Sequence, residues 1–374
     1  MTLSQILRES SMDLKLVPLT PIWTGDAHGI SSSLRITGLL GSLRWWFEGI
    51  ARALDRDACD PTEDPCEYDP DPKKSPFHDL CPACWLFGTT GWARRFRLTG
   101  SGLHASDWCV LAAPEVAPSD ENWLKSVYRF PGSKVLWGDL LTLRFTRHVP
   151  GNRVPGSVIL DAVICGLLNT IVRFGALGAK PQNGWGVVNW HEVPQFDRAA
   201  LAQFITAFPK RDHITDGRFN VSETVFLDFE IRDIGDYMSG TRIPASVRPD
   251  YLNRVLPIAY DIRYKSRARD FRTKEGHDRG IRPALKKVLG PRAEDIVGAS
   301  ARTGNRSASR VFVSHLYRRT SSEPYRLRCW VHVPRNLEDQ RQAITRTIEK
   351  VVTEMFAGSR YNTYLWSDFQ KEVP

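Results

Sequence analysis

Residues 160–193 read LDAVICGLLNTIVRFGALGAKPQNGWGVVNWHEV. The apolar run at the start predicts a helix over about 158–176. Three glycines, Gly178, Gly184 and Gly186, then surround Lys180, Pro181, Gln182 and Asn183, which reads as a loop. The last residues predict a strand over 186–193, so the local order is helix, glycine loop, strand. Glycines let backbone N–H groups come close to a polyanion, and a lysine adds charge, so the loop points to phosphate. It is neither a P-loop nor a dinucleotide fingerprint, and both of those follow a strand rather than a helix. Nucleotide hydrolysis is therefore not expected. The plain alternative is an ordinary connection with Gly178 capping the helix C-terminus.

Outward from this loop, MDLKLVPLTPIW (12–23) predicts a first strand, and TGDAHGISSS after it a turn-rich loop. LLGSLRWWFEGIARAL (39–54) has helical period, with Leu39, Leu43, Trp46, Phe47, Ile50 and Leu54 on one face. Arg44, Glu48 and Arg52 lie four apart on another face, where they can form a salt-bridge ladder. Trp46 belongs to the apolar face. Trp45 lies off it and can pack, or stack on a base or a neighbouring subunit, and packing is favoured. WARRFRLTG (92–100) and LLTLRFTRH (140–148) predict two strands.

The resulting order, β-α-β-β-α-β, predicts an α+β fold with a ferredoxin-like (RRM-like) sheet and two helices on one face. The second half echoes it. VFLDFEIRD (225–233), ASRVFVSHLYRR (308–319) and YRLRCWVHVP (325–334) predict strands, followed by a long helix at 337–356 and AGSRYNTYLW (357–366). LFGTTGWARRFRL (86–98) parallels IVGASARTGNRSASRVFV (296–313), each with a glycine, a basic turn and an R-x-F strand. We therefore expect two tandem domains, 1–195 and 196–374. The first carries a cysteine-containing insertion at about 55–85.

The chain has 374 residues, a formal net charge of +9, 42% hydrophobic and 25% charged residues. These are the proportions of a globular protein with a mild bias towards a polyanionic partner. No apolar run approaches a membrane span, and the N-terminus does not read as a signal peptide, so a cytoplasmic location is expected. Seven cysteines then read as thiols or metal ligands rather than disulfides. Cys59 and Cys66 precede Cys81 and Cys84, the latter a C-x2-C knuckle. Together they form a plausible four-thiolate structural zinc site that would order an acidic, proline-rich insertion. His78 is an alternative ligand, and four free thiols are the alternative state. Cys109, Cys165 and Cys329 are isolated, with Cys165 expected in the core.

LVPLTPIWTGD, LLGSLRWWFEGIARAL, CPACWLFGTTGWARRFRL and the glycine loop together resemble the RAMP superfamily of CRISPR effector proteins. Within it they are similar to the first RAMP subunit of the type III-B Cmr complex. The resemblance is strongest over 12–193. It implies two ferredoxin-like domains and a noncatalytic role in antiviral defence. The chain would contact guide RNA near its 3′ end, help capture target RNA, and meet other Cmr subunits. One departure is a single Gly25 before Asp26 where relatives carry a glycine pair, so the first loop is expected to differ in shape.

With that resemblance, the candidate RNA contacts are Arg35, Arg44, Arg94, Arg95, Gly178, Lys180, Gln182, Asn183, Gly184, Arg267 and Arg269. The last two fall in a basic stretch with interleaved aromatics, 262–287, which suits single-stranded RNA or an acidic neighbouring subunit. Asp26 and His28 in the first loop are the candidates for a competing ribonuclease reading, because some RAMP relatives cleave RNA from a similar loop. Against that reading stands a simple turn role for Asp26. For the whole chain, a protein-interaction scaffold is the reading without RNA.

Overall fold

The computed structural model describes residues 11–26, 30–69, 76–108, 134–148, 153–210, 217–234, 250–264, 280–299 and 307–372. It is a mixed α+β structure built on two antiparallel sheets.

The first sheet contains β1 (Ser11–Pro18), β2 (Phe96–Ser101), β3 (Leu141–Arg147) and β4 (Val188–Trp190). Its strand order is β2-β3-β1-β4, and every pairing is antiparallel. Register follows the apolar alternation: Leu14 faces Leu143 and Leu16 faces Leu141, all four buried. Slipping by one residue would turn those side chains to the other face. Helix α1 (Ile36–Ala53) joins β1 to the chain before β2, and α3 (Leu160–Phe174) joins β3 to β4. Between them lies α2 (Pro82–Phe87), within the insertion. α1 buries Leu39, Leu43, Trp46, Phe47 and Ile50, the face its period predicts. Each such side chain contributes about 1.5–3 kcal/mol by burial. β2 is shorter than expected: it begins at Phe96, leaving Arg94 and Arg95 ahead of the strand.

The second sheet repeats the path. Its strands are β5 (Thr224–Ile231), β6 (Val311–Val313), β7 (Leu316–Tyr317), β8 (Tyr325–His332) and β9 (Arg360–Tyr364). β6 and β7 both pair with β8, which pairs with β5, which pairs with β9. A two-residue strand, Val255–Leu256, pairs with β7 at the edge. Helix α4 (Ile281–Leu289) precedes β6, and α5 (Arg341–Met355) joins β8 to β9. The parallel noted between 86–98 and 296–313 thus ends in β2 and β6, which hold corresponding places beside the third strand of their sheets.

The halves are joined through their cores. Trp46 of α1 lies 6.0 Å from Trp330 of β8 and 6.3 Å from Phe226 of β5, between ring centroids. Buried Arg328 of β8 donates to the Gly175 carbonyl (2.7 Å). Helix Ala200–Thr206 packs Leu201 against Gly166 of α3, so the first layer continues past residue 195. Phe219, from the segment leading into β5, stacks on Trp45 at 3.7 Å. That is the packing role expected for Trp45. Among the described residues no helix is long and apolar enough to cross a membrane.

Candidate nucleic-acid interface and thiol cluster

The glycine loop is held from both halves of the molecule. α3 ends at Phe174 and is capped by Gly175, so Gly178 is not the helix cap. Gly178, Lys180, Gly184 and Gly186 all have positive φ. For Lys180 (φ 54°) that conformation costs about 1–3 kcal/mol and needs surrounding contacts to hold it. The contacts are present. Ala179 N–H donates to the Trp23 carbonyl (2.8 Å), and Lys180 Nζ lies 3.7 Å above the Trp23 ring. Gly178 N–H donates to Ser42 Oγ of α1 (3.0 Å). From the second half, Arg263 Nη1 donates to the Gln182 carbonyl (2.7 Å) and His315 N–H to the Gly184 carbonyl (3.2 Å).

This corrects the expected role of the glycines. Their N–H groups are spent within the protein: Gly178 on Ser42, Gly184 on the Pro181 carbonyl, Gly186 on the Pro21 carbonyl. Gly178 and Gly184 give the loop its shape and do not offer donors to a ligand. At Gly184 a Cβ would lie 2.6 Å from Ala259 Cβ and 2.7 Å from the His315 ring, so only glycine fits. The side chains of Lys180, Gln182 and Asn183 are half-buried and reach the surface.

The loop after β1 meets the glycine loop at Trp23, whose ring also stacks on Trp185 (5.8 Å). Asp26 closes a local turn: its N–H donates to the Ile30 carbonyl and its Oδ1 accepts from Ile30 N–H, both at 2.9 Å. The Thr24 hydroxyl accepts from Arg35 N–H (3.0 Å). Arg35 is exposed at the N-terminus of α1, whose first turn contains no acid. That helix end favours an anion. His28, Arg267, Arg269 and Cys109 lie outside the described residues.

The other basic candidates divide. Arg94 Nε donates to the Phe96 carbonyl (2.6 Å), and the Arg95 guanidinium lies 3.5 Å from the Trp92 ring centre and 5.2 Å from that of Trp85. Both are half-buried. Arg44 is turned inward, with 16% of its side chain exposed. Its Nε donates to Glu48 (2.7 Å), its Nη1 to the Gly88 carbonyl (3.1 Å), and its Nη2 approaches Cys84 Sγ (3.2 Å) and Cys59 Sγ (3.9 Å). It is therefore removed from the RNA contacts. Arg44, Glu48 and Arg52 form the salt-bridge ladder that their spacing predicts, with Glu48 between the two arginines (2.7 and 3.7 Å) and the series buried under the insertion.

Cys59, Cys66, Cys81 and Cys84 converge, with every sulfur within 4.8 Å of the others. Cys59 and Cys84 are 3.2 Å apart, and Cys59 and Cys81 3.8 Å. Tetrahedral Zn–S bonds of about 2.3 Å place sulfurs about 3.8 Å apart, so four thiolates at these separations fit such an ion. His78 is exposed and is not a member of the set. The Cys84 thiol is driven far below its ordinary range by hydrogen bonds from Cys59, Cys66 and Cys81, with Arg44 adding its charge. Cys66 is lowered to about 7 by hydrogen bonds from Cys59 and Cys81. α1 supports the cluster at a second point, because Arg52 Nη2 donates to the carbonyl of Ala58, next to Cys59 (2.8 Å). Cys165 is buried in α3, as expected.

The sequence did not single out three residues of the interface: Trp23, which lies in the LVPLTPIWTGD motif, Arg263, which lies in the basic stretch 262–287, and His315. Their roles depend on contacts made across the fold, for Arg263 and His315 between its two halves.

Residues 15–189, the span of the first sheet and the glycine loop, match the family model of the RAMP superfamily. The match covers the stretch whose motifs resemble that superfamily. Three solved structures are similar in outline. Cmr1 from Pyrococcus furiosus is 10% identical, with 94% of this chain and 98% of that one covered and a TM-score of 0.43. A chain of the type III-B Cmr-beta complex bound to cognate target RNA and AMPPnP, in the presence of ssDNA, is 10% identical (92% and 99% covered, TM-score 0.41). A chain of Cmr-beta bound to cognate target RNA is 12% identical (91% and 99% covered, TM-score 0.40). No curated protein matches by sequence.

Proposed function

We infer that this chain is a noncatalytic RNA-binding subunit of a type III-B CRISPR effector, contacting guide RNA near its 3′ end and helping to capture target RNA. The observation that carries the reading is the position of the glycine loop. It lies inside the RAMP-matched stretch and packs against the loop after β1 at Trp23. Lys180, Gln182 and Asn183 are the proposed contacts to RNA backbone and ribose hydroxyls, with Arg35 at the α1 N-terminus beside the same entry loop. Arg94 and Arg95 extend the basic surface proposed to track the strand, and Arg267 and Arg269, outside the described residues, are proposed as further RNA contacts by their charge alone. Guide pairing would supply sequence specificity, so these contacts read shape and charge. The partners are guide and target RNA and other Cmr subunits, in the cytoplasm.

The repeated strand order, second-third-first-fourth in each sheet, supports two tandem ferredoxin-like domains at 1–195 and 196–374. Helix Ala200–Thr206 favours assigning a few more residues to the first. The four-cysteine cluster is proposed to hold a structural zinc ion that fastens the insertion to α1.

The turn that occupies the Asp26 carboxylate favours a noncatalytic role over the ribonuclease reading. The test is RNA binding by Lys180→Ala/Asn183→Ala and by Asp26→Ala. The first variant should bind single-stranded RNA about tenfold more weakly, with only the small fall in melting temperature that losing the Lys180–Trp23 contact, about 0.5–1 kcal/mol, entails. The assembled complex with Asp26→Ala should keep any RNA cleavage it has. Unchanged affinity in the loop variant would sink the assignment, and selective loss of cleavage in Asp26→Ala would promote the nuclease.

A further inference from the structure

Four thiolates around one zinc ion carry a net charge of −2, and here they would carry it in a buried place: Cys59, Cys81 and Cys84 are all buried. Buried charge is costly unless it is paired and hydrogen-bonded. Among the described residues one guanidinium is aimed at these sulfurs. Arg44 Nη2 is 3.2 Å from Cys84 Sγ and 3.9 Å from Cys59 Sγ. Its other nitrogens fix its direction. Nε is held by buried Glu48 at 2.7 Å, and Nη1 by the Gly88 carbonyl, which follows α2, at 3.1 Å. Glu48 is in turn approached by Arg52 at 3.7 Å, and Arg52 holds the Ala58 carbonyl. One turn-spaced series on α1 therefore contacts the cluster at Cys84, at Cys59 and beside Cys59 through the backbone.

We propose that Arg44 is the charge partner of a zinc tetrathiolate formed by Cys59, Cys66, Cys81 and Cys84, oriented for that task by Glu48. This rests on the zinc reading given above. Arg44 is a positioning residue: it touches ligand sulfurs and not the metal. Its N–H donor draws electron density from Cys84 and its charge offsets half of the site's excess. Glu48 keeps the guanidinium from turning to solvent. The same helix presents Ser42 Oγ to the glycine loop, so α1 is common to the metal site and the proposed RNA site.

The experiment uses the purified full chain with Arg44→Gln and Arg44→Lys. Zinc content is measured by elemental analysis, and affinity by competition with a chromophoric chelator. Each protein is also loaded with cobalt(II), and the thiolate-to-cobalt charge-transfer band is recorded. Wild type should hold one zinc per chain. Arg44→Gln should lose affinity by about 10–100-fold, the usual cost of removing an outer partner of a ligand. Its cobalt band should move to lower energy, because Cys84 loses a donor. Arg44→Lys, which keeps the charge, should recover part of both. A purely packing role for Arg44 would leave the band in place. Wild type with zinc but no change of affinity or band in either variant overturns the proposal. Wild type without zinc overturns the zinc reading itself, so the two failures are distinct. Should Arg44→Gln not fold, Arg44→Lys carries the test by the same band and affinity.

Discussion

At the scale of the residue, His315 shows how a side chain unremarkable in the sequence becomes decisive in the fold. It is fully buried, its ring stands 4.9 Å from Trp108, and its Nδ1 accepts from Ala259 N–H (3.1 Å). Burial lowers its pKa from 6.5 to about 3. The folded protein therefore keeps it neutral where the unfolded chain would protonate it. Below pH 6.5 the unfolded state binds the extra proton, so stability falls as the pH drops towards about 3, by up to about 1.4 kcal/mol per pH unit. Urea denaturation of wild type and His315→Asn at pH 7 and pH 5 checks this: the wild type should lose stability more steeply than the variant. Equal losses would contradict it. The sequence made Lys180, Asn183 and the four cysteines visible, because glycine spacing and the C-x2-C knuckle are local patterns. It could not place Arg44. An arginine on the polar side of an amphipathic helix reads as solvated until an insertion folds over it.

At the scale of the element, α1 was legible in its apolar face and illegible in its other uses. Gly49 lies in its interior, where glycine ordinarily costs about 1 kcal/mol relative to alanine. Here a Cβ would come within 2.4 Å of the Phe219 ring, which is itself stacked on Trp45. Gly49→Ala should therefore destabilise, reversing the usual sign, by about 1–3 kcal/mol. A lowered thermal midpoint would agree, and a raised one would show that Phe219 moves freely aside. The sequence could not announce this contact because Phe219 lies some 170 residues away. Strand ends were similarly hidden. WARRFRLTG alternates basic and apolar only from Arg95, and the strand begins at Phe96, since Arg95 N–H donates to the Leu86 carbonyl and its guanidinium lies on the Trp92 ring while its carbonyl still accepts from His148 N–H.

At the scale of the whole molecule, two sheets share one internal strand order, α1 and α3 of the first half pack Trp46 and Phe174 against Phe226 of the second sheet, and the glycine loop lies across the join. The β-α-β-β-α-β order was readable because each element is announced by its own period and punctuated by glycine and proline. The join was not, because Arg263 and His315 reach the loop from the other half. The loop's backbone serves the fold, and its Lys180, Gln182 and Asn183 side chains are the part that reaches the surface. The central claim is that this surface binds RNA without cutting it. The most direct test is titration of the purified chain with labelled single-stranded RNA at low and moderate salt, with the bound RNA then run on a denaturing gel. The account predicts binding that weakens steeply with salt, through counterion release, and RNA recovered at full length. No binding at low salt, or shortened RNA, would contradict it.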